Sequence, residues 1–174
     1  MTLKRGSVVI EPYDPSWVRL FEEEKSRIQP IFGEYEVYHT GSTSVLGLPA
    51  KPIIDMLVGL PSLADIQHYR GQLEALGYVS MPEREKDWEI FIPKGPDDAR
   101  THYLHVLVKG SPEYKNILYF RNYLRAHPEV RDAYAALKHD LAAKYPDDRP
   151  SYTAAKHDFI EGVIEQARRE QIAI

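Results

Sequence analysis

A short turn, Gly41-Ser42-Thr43, and an aspartate twelve residues beyond its threonine, Asp55, could carry chemistry. Glycine lets the backbone come close to a ligand, and exposed N–H groups beside a hydroxyl can hold phosphate oxygens. A carboxylate on a neighbouring strand could bind a metal ion that bridges to the same oxygens. The segment therefore indicates a phosphate-binding turn, with an ordinary tight turn as the alternative for Gly41 and Ser42.

Asp55 stands at the centre of the apolar run PIIDMLV. Burying a lone carboxylate costs several kcal/mol unless it is paired or coordinated. An aspartate in the middle of a buried strand is therefore a candidate for catalysis or metal binding, and the alternative is an ordinary strand residue.

Short segments rich in β-branched or aromatic residues must position this turn. Bounded by glycine or proline, they predict strands at residues 36–40, 52–60, 78–81, 89–93 and 102–108. The turn-forming segment at 94–100 predicts that the last two strands form an antiparallel hairpin.

Helical signals surround these strands. Asp14 before Pro15 predicts the start of an amphipathic helix that ends at Gly33. Ser62 and Asp65 predict a capping box for a second helix that ends near residue 77. Beyond residue 110 the sequence is helical, with helices predicted to start at residues 112 and 128 and a third across 151–170.

Strands followed by a helical tail predict one α+β domain over residues 1–174, a mixed β-sheet with packed helices. The sheet core is expected at about 8–110 and the C-terminal helical tail at about 111–170.

The composition excludes several classes of protein. The chain has 174 residues, a net charge of −4 and no cysteine, so it has no disulfide, thiolate metal site or cysteine nucleophile. There is no block of like charges and no apolar run near the roughly 20 residues of a spanning helix. We expect a cytoplasmic protein without a membrane partner or a broad nucleic-acid footprint.

Three separated segments carry a resemblance to a known family. HTGSTSVLGLPAKPIIDMLV resembles the signature of the GrpB family, and LYFRNYLRAHPEVRDAYAALKHDLA with SYTAAKHDFI resembles that family's helical tail. The resemblance runs from about Val8 to Ala167. It implies the nucleotidyltransferase fold, whereas the family's biochemical activity is not established. Some chains fuse such a domain to dephospho-CoA kinase, which hints at coenzyme A metabolism.

The same resemblance implies a mechanism from which this sequence departs. Active nucleotidyltransferases hold phosphates with Gly-Ser on a turn and bind Mg²⁺ with two acids spaced i, i+2 on the next strand. Gly41-Ser42 and Asp55 match, but Leu57 stands at the second acid, and the later strand offers His102 and His105 instead of a third. One carboxylate with imidazoles makes a poor two-metal Mg²⁺ site.

The histidines suggest another kind of site. Strand alternation places His102 and His105 on opposite faces, and we expect His105 to join Asp55, with His39 as a second candidate. Together His39, Asp55 and His105 could bind Zn²⁺, Mn²⁺ or Ni²⁺, or the protonated histidines could contact phosphate. Each histidine could instead be a partly buried, hydrogen-bonded side chain.

Three basic residues are candidates for binding an anion. Arg121 falls on the apolar side of its helix, and Lys156 lies one turn before Ile160 on an apolar stripe. We expect both to reach the Gly-Ser turn and neutralise phosphate, although snorkelling or pairing with a structural acid is an alternative. The family resemblance adds Lys51.

Two functions follow. The first is a divergent nucleotidyltransferase or phosphate-ester enzyme that uses Asp55 and His105 as catalytic residues and Gly41, Ser42 and Thr43 to bind phosphate. The second is a non-catalytic module that binds a nucleotide or coenzyme A precursor and has lost the second metal carboxylate. Both imply a small phosphate-containing ligand, and the first implies a divalent metal such as Mn²⁺, Zn²⁺, Ni²⁺ or Mg²⁺.

Overall fold

The structure, a computed structural model, describes residues 8–174. Within that range the chain forms four strands and six α-helices. The elements are α1 Ser16–Phe32, β1 Val37–Thr40, β2 Ile54–Leu60, α2 Arg70–Ala75, β3 Ile90–Lys94, β4 His102–Val108, α3 Pro112–Ala126, α4 Pro128–Lys144, α5 Arg149–Ala154 and α6 His157–Arg169.

The four strands form one mixed sheet in the order β1-β2-β4-β3. β2 pairs antiparallel with β1 and parallel with β4, and β3 and β4 form the predicted antiparallel hairpin. The strand predicted at residues 78–81 is wrong, because only Tyr78 makes an isolated bridge, to Lys94.

The two faces of the sheet pack against different helices. On one face, Met56, Val58 and Leu104 join the main hydrophobic core with residues of α1. On the opposite face, Leu57 and Leu107 pack against α3. Because side chains alternate along a strand, this second face also carries Asp55, Tyr103 and His105. We call it the site face.

Local signals explain most helix ends. Asp14 accepts a hydrogen bond from the backbone N–H of Ser16 at the start of α1. The Ser62–Asp65 capping box is present, but it opens a 3₁₀ turn, Leu63–His68, that precedes the short α2. The single helix predicted across residues 151–170 is also divided, into α5 and α6.

None of the helices within residues 8–174 combines the length and the apolar character needed to cross a membrane.

Candidate functional site

A cavity of about 850 Å³ lies between the site face of the sheet and the helical tail. Its lining includes the turn at residues 40–43, Asp55 of β2, His105 of β4 and the loop before β3. Helices α3 to α6 and the segment before β2, which carries Lys51, supply much of the remaining wall. The structure therefore brings the predicted turn, Asp55 and His105 into one space.

The turn and Asp55 are in close contact. Gly41 has φ +64°, a conformation that favours glycine, and a Cβ built on it would lie 2.9 Å from Cβ of Asp55. Only a residue without a side chain fits this position unstrained. Ser44 steadies the turn by donating a hydrogen bond of 2.7 Å from its hydroxyl to the Gly41 carbonyl.

Cationic side chains from α3 and α4 tether the turn and the segment after it. Arg125 donates two hydrogen bonds, of 2.7 and 3.1 Å, to the carbonyl of Ser44. Arg131 donates to the carbonyl of Leu46 at 3.1 Å. Lys138, only 2% exposed, donates to the Ser42 hydroxyl at 3.1 Å and also to the Pro49 carbonyl. The helical tail thus fixes the position of the turn.

Asp55, His105 and Glu89 form a hydrogen-bonded chain at the floor of the cavity. His105 Nε2 lies 3.4 Å from Asp55 Oδ1, and His105 Nδ1 lies 2.6 Å from Glu89 Oε1. Burial opposes the charged ring, but these two carboxylates raise the pKa of His105 to about 9. The ring is therefore an imidazolium at neutral pH that donates to both acids. The expectation that His105, and not His102, faces Asp55 is confirmed.

Three lysines and an arginine occupy the cavity wall near the turn. Burial, with repulsion from Arg149 and Lys156, lowers the pKa of Lys51 to about 7. Burial and the neighbouring lysines lower the pKa of Lys138 to about 7, and burial lowers that of Lys156 to about 8. Arg149 donates to the Tyr103 hydroxyl at 3.0 Å. The lowered pKa values show that burial and the neighbouring cations disfavour the charged forms of these three lysines.

Tyr152 organises two of these cations. The Lys156 ammonium lies 4.3 Å from the centre of the Tyr152 ring, and the Lys51 ammonium lies 5.5 Å from it. Tyr152 is fully buried, so its ring is a fixed support for both lysines. Lys51 and Lys156 both line the cavity, and their predicted binding of phosphate stays a prediction.

His39 does not join Asp55. In the antiparallel register Thr40 lies opposite Asp55, so the preceding residue, His39, points to the other face of the sheet. There it stacks on Phe21 at 4.5 Å and makes a 3.0 Å hydrogen bond with the Thr43 hydroxyl. Burial lowers its pKa to about 4, so the ring is neutral. The predicted grouping of His39, Asp55 and His105 around a metal is not assembled.

Arg121 and Thr43, both predicted to bind phosphate, are hydrogen-bonded to His39. Arg121 donates a 2.9 Å hydrogen bond to the carbonyl of His39 and lies over the Tyr38 ring, outside the cavity lining. It supports β1 just before the turn. Thr43 lines the cavity, but its hydroxyl is bonded to His39.

The residues present do not fit a two-metal Mg²⁺ site. Leu57, at the position of the second acid, is completely buried and packs with Leu107, Tyr114 and Leu118 beneath α3. Both ring nitrogens of His105 are hydrogen-bonded to carboxylates, those of Glu89 and Asp55. Within residues 8–174, no three His, Asp or Glu side chains are arranged to hold a metal ion.

Sequence reasoning missed Glu89, Lys138 and Arg149. Lys138 follows Tyr134 by four residues and precedes Leu141 by three, which places it on the buried side of α4. A cation at this spacing from apolar residues was the signal that made Arg121 a candidate, and the same signal could have identified Lys138. Glu89 lies two residues before Phe91, which pairs with His105, so strand alternation could have placed it on the site face. Arg149 carries no comparable signal.

Comparisons with known proteins identify the family of this chain. The family model described as "GrpB protein" matches residues 7–166. The UPF0157 protein YqkA of Bacillus subtilis is 38% identical over 167 residues. That match covers 95% of this chain and 48% of YqkA, so the chain spans about half the length of that curated relative.

Solved structures give the fold. The crystal structure of the conserved protein GrpB from Enterococcus faecalis is 36% identical, with a TM-score of 0.85 over 94% of this chain and 99% of that one. The Cid1 poly(U) polymerase with Mg 3'-dATP bound is 14% identical, with a TM-score of 0.56 over 84% of this chain and 49% of Cid1, which shows a shared nucleotidyltransferase-like fold alone. With a family model that matches nearly the whole sequence, this α+β chain belongs to the GrpB family.

Proposed function

We propose that the cavity binds a nucleotide or another small phosphate-containing ligand, with the phosphates against the Gly41-Ser42 turn. The observation that carries this proposal is the concentration of Lys51, Lys138 and Lys156 in the wall beside that turn. Clustered ammonium groups are costly to bury without anions, and phosphate oxygens are suitable partners for them.

Three carboxylates of the cavity, those of Asp55, Glu85 and Glu89, have partners of their own. Asp55 and Glu89 share His105, and Glu89 also pairs with Lys86 at 3.3 Å. Glu85, in the loop before β3, pairs with Arg70 at 2.5 Å. Of these acids only Asp55 also attracts Lys51 and Lys156, and one carboxylate does not balance three lysines, so an anionic ligand is a suitable further partner for them.

The far wall of the cavity suits the organic part of such a ligand. Ile117 and Phe120 of α3, Tyr134 of α4 and Ile160 and Ile164 of α6 supply apolar and aromatic surface. Binding sites commonly combine a mostly apolar wall with a few placed polar groups. A nucleotide or a coenzyme A precursor offers both an organic group and phosphates.

A thermal-shift screen tests the proposal. Nucleoside mono-, di- and triphosphates, coenzyme A precursors and inorganic polyphosphates are added with and without Mn²⁺. We expect a raised Tm for the wild type, a smaller shift for Lys156→Met and an undiminished shift for Lys115→Met, whose lysine is exposed on α3. If none of these compounds raises the Tm of the wild type, ligand binding at this cavity is contradicted.

A catalytic role is the second candidate, and the Asp55–His105–Glu89 chain beside the turn favours it. The buried Leu57 argues against Mg²⁺-dependent transfer, because a lost metal carboxylate removes much of the electrostatic stabilisation of a phosphoryl transition state. Release of diphosphate from a nucleoside triphosphate that disappears in Asp55→Asn and persists in Lys115→Met would support catalysis. Ligand binding without turnover would support the binding module.

A further inference from the structure

The charges in the cavity define the ligand more narrowly, provided that the proposed phosphate site exists. Four cationic side chains face the space beside the turn, from Lys51, Lys138, Arg149 and Lys156. Asp55 is the carboxylate that attracts Lys51 and Lys156, and it is bonded to the His105 imidazolium. Near neutral pH a single phosphate carries at most two negative charges, which is fewer than the four positive charges of these side chains when all are protonated.

We propose that the cavity selects a ligand with two or more linked phosphates, binds it without a divalent metal, and takes up protons at its lysines as the ligand enters. The lysines then supply the positive charge that a metal ion would otherwise bring to the phosphates. A metal ion already on the phosphates would add charge to a wall that is crowded with cations, so it weakens binding.

The clustering of the lysines supports the proton uptake. Lys51 and Lys156 both lie over the Tyr152 ring, and the Lys138 ammonium lies 4.9 Å from the centre of the Tyr134 ring. Burial and mutual repulsion hold the pKa values of these lysines at about 7 to 8 without a ligand. A polyphosphate beside them favours the charged forms, so the lysines gain protons when it binds above pH 7.

Other groups around the lysines set the background for this change. They are Asp55 on β2, Tyr103 and His105 on β4, Tyr134 on α4, and Arg149 and Tyr152 on α5, with Glu83, Arg84, Glu85, Lys86 and Glu89 in the segment before β3. Among these groups, His105 keeps a charged ring at pH 8, because its pKa is raised to about 9.

Calorimetric titration with sodium tripolyphosphate tests the proposal. The titration is run at pH 8 and pH 6, each in two buffers with different heats of ionisation, with EDTA or with MgCl₂. We expect binding in EDTA that is at least about tenfold tighter than for orthophosphate, and weaker binding in MgCl₂. The buffer dependence should show a larger net uptake of protons at pH 8 than at pH 6, where the lysines are already charged.

Matched variants assign the protons, because the probe itself titrates. Lys156→Met and Lys51→Met should each take up fewer protons than the wild type at pH 8, and Lys115→Met should match the wild type. Two results would overturn this inference and leave phosphate binding intact. One is binding that requires Mg²⁺, and the other is a proton uptake at pH 8 that is the same in the wild type and in both cavity variants. Failure of tripolyphosphate, nucleotides and coenzyme A precursors alike to bind overturns the proposed function itself.

Discussion

Gly41 and Asp55 are in contact so close that no side chain fits between them: a Cβ on Gly41 would lie 2.9 Å from Cγ of Asp55. The same glycine has φ +64°, where other residues are strained. The turn can therefore lie directly beside the carboxylate because residue 41 is glycine.

Gly41→Ala should lower the free energy of unfolding by about 2 kcal/mol or more, from backbone strain and from the clash with Asp55. Gly71→Ala is the matched control, since Gly71 lies in α2 without a positive φ, and a Cβ added there would meet no atom within 4 Å. There we expect no loss, because alanine favours a helix. Urea unfolding of both variants measures the difference, and equal effects would contradict the close contact.

Leu57→Asp should not create a metal site. The new carboxylate would be buried among Leu107, Tyr114 and Leu118, so we expect a loss of about 4 kcal/mol or more. Leu57→Met, which nearly conserves volume, should cost less than about 1.5 kcal/mol. A Leu57→Asp variant that keeps the wild-type Tm and binds Mn²⁺ would show that this position is open to the cavity.

His105 should make stability depend on pH. Its folded-state pKa of about 9 exceeds the ordinary value of 6.5, so its contribution is fully present below about pH 6.5 and is lost as the pH rises through about 9. The difference in Tm between the wild type and His105→Gln should therefore be larger at pH 6 than at pH 9.5. His139→Gln, on the exposed side of α4, is the control. A difference for His105→Gln that does not change with pH would mean that the ring is not held charged.

Arg125 should stabilise the turn from a distance. Arg125→Met removes two donors from the Ser44 carbonyl, and we expect a loss of about 1–3 kcal/mol. Arg169→Met removes an exposed arginine that pairs with Glu165 one helical turn away, and it should change stability by less than about 0.5 kcal/mol. Chemical unfolding compares the two, and equal losses would contradict the tethering of the turn by α3.

Features of the fold that depend on neighbouring residues could be predicted from the sequence. The Ser62–Asp65 capping box and the β3–β4 hairpin are confirmed because short-range hydrogen bonds and turn chemistry fix them. The prediction of a strand at residues 78–81 failed because a strand needs a partner along its whole length. Here Tyr78 makes an isolated bridge, and Val79 adds one backbone hydrogen bond to Pro93. The break before α6 places Lys156 at the cavity, a consequence of packing that the helical periodicity does not show.

Strand alternation predicted part of the candidate site, because it allows only one of His102 and His105 to share a face with Asp55. That this residue is His105 follows from the parallel register of β2 and β4, in which Leu57 lies opposite His105. The face on which His39 lies could be known only from the β1–β2 register, which places Thr40, and not His39, opposite Asp55. The contact of Lys138 with Ser42 joins residues 96 positions apart, and such convergence follows from the tertiary structure.

The most direct test of the central claim is the calorimetric titration of ATP into the wild type, Lys156→Met and Lys115→Met, side by side at pH 7 in EDTA. If the cavity beside the Gly41-Ser42 turn binds phosphates, the wild type and Lys115→Met bind ATP equally, and Lys156→Met binds it at least about tenfold more weakly. Equal affinity in all three proteins, or no binding to the wild type, would contradict the account.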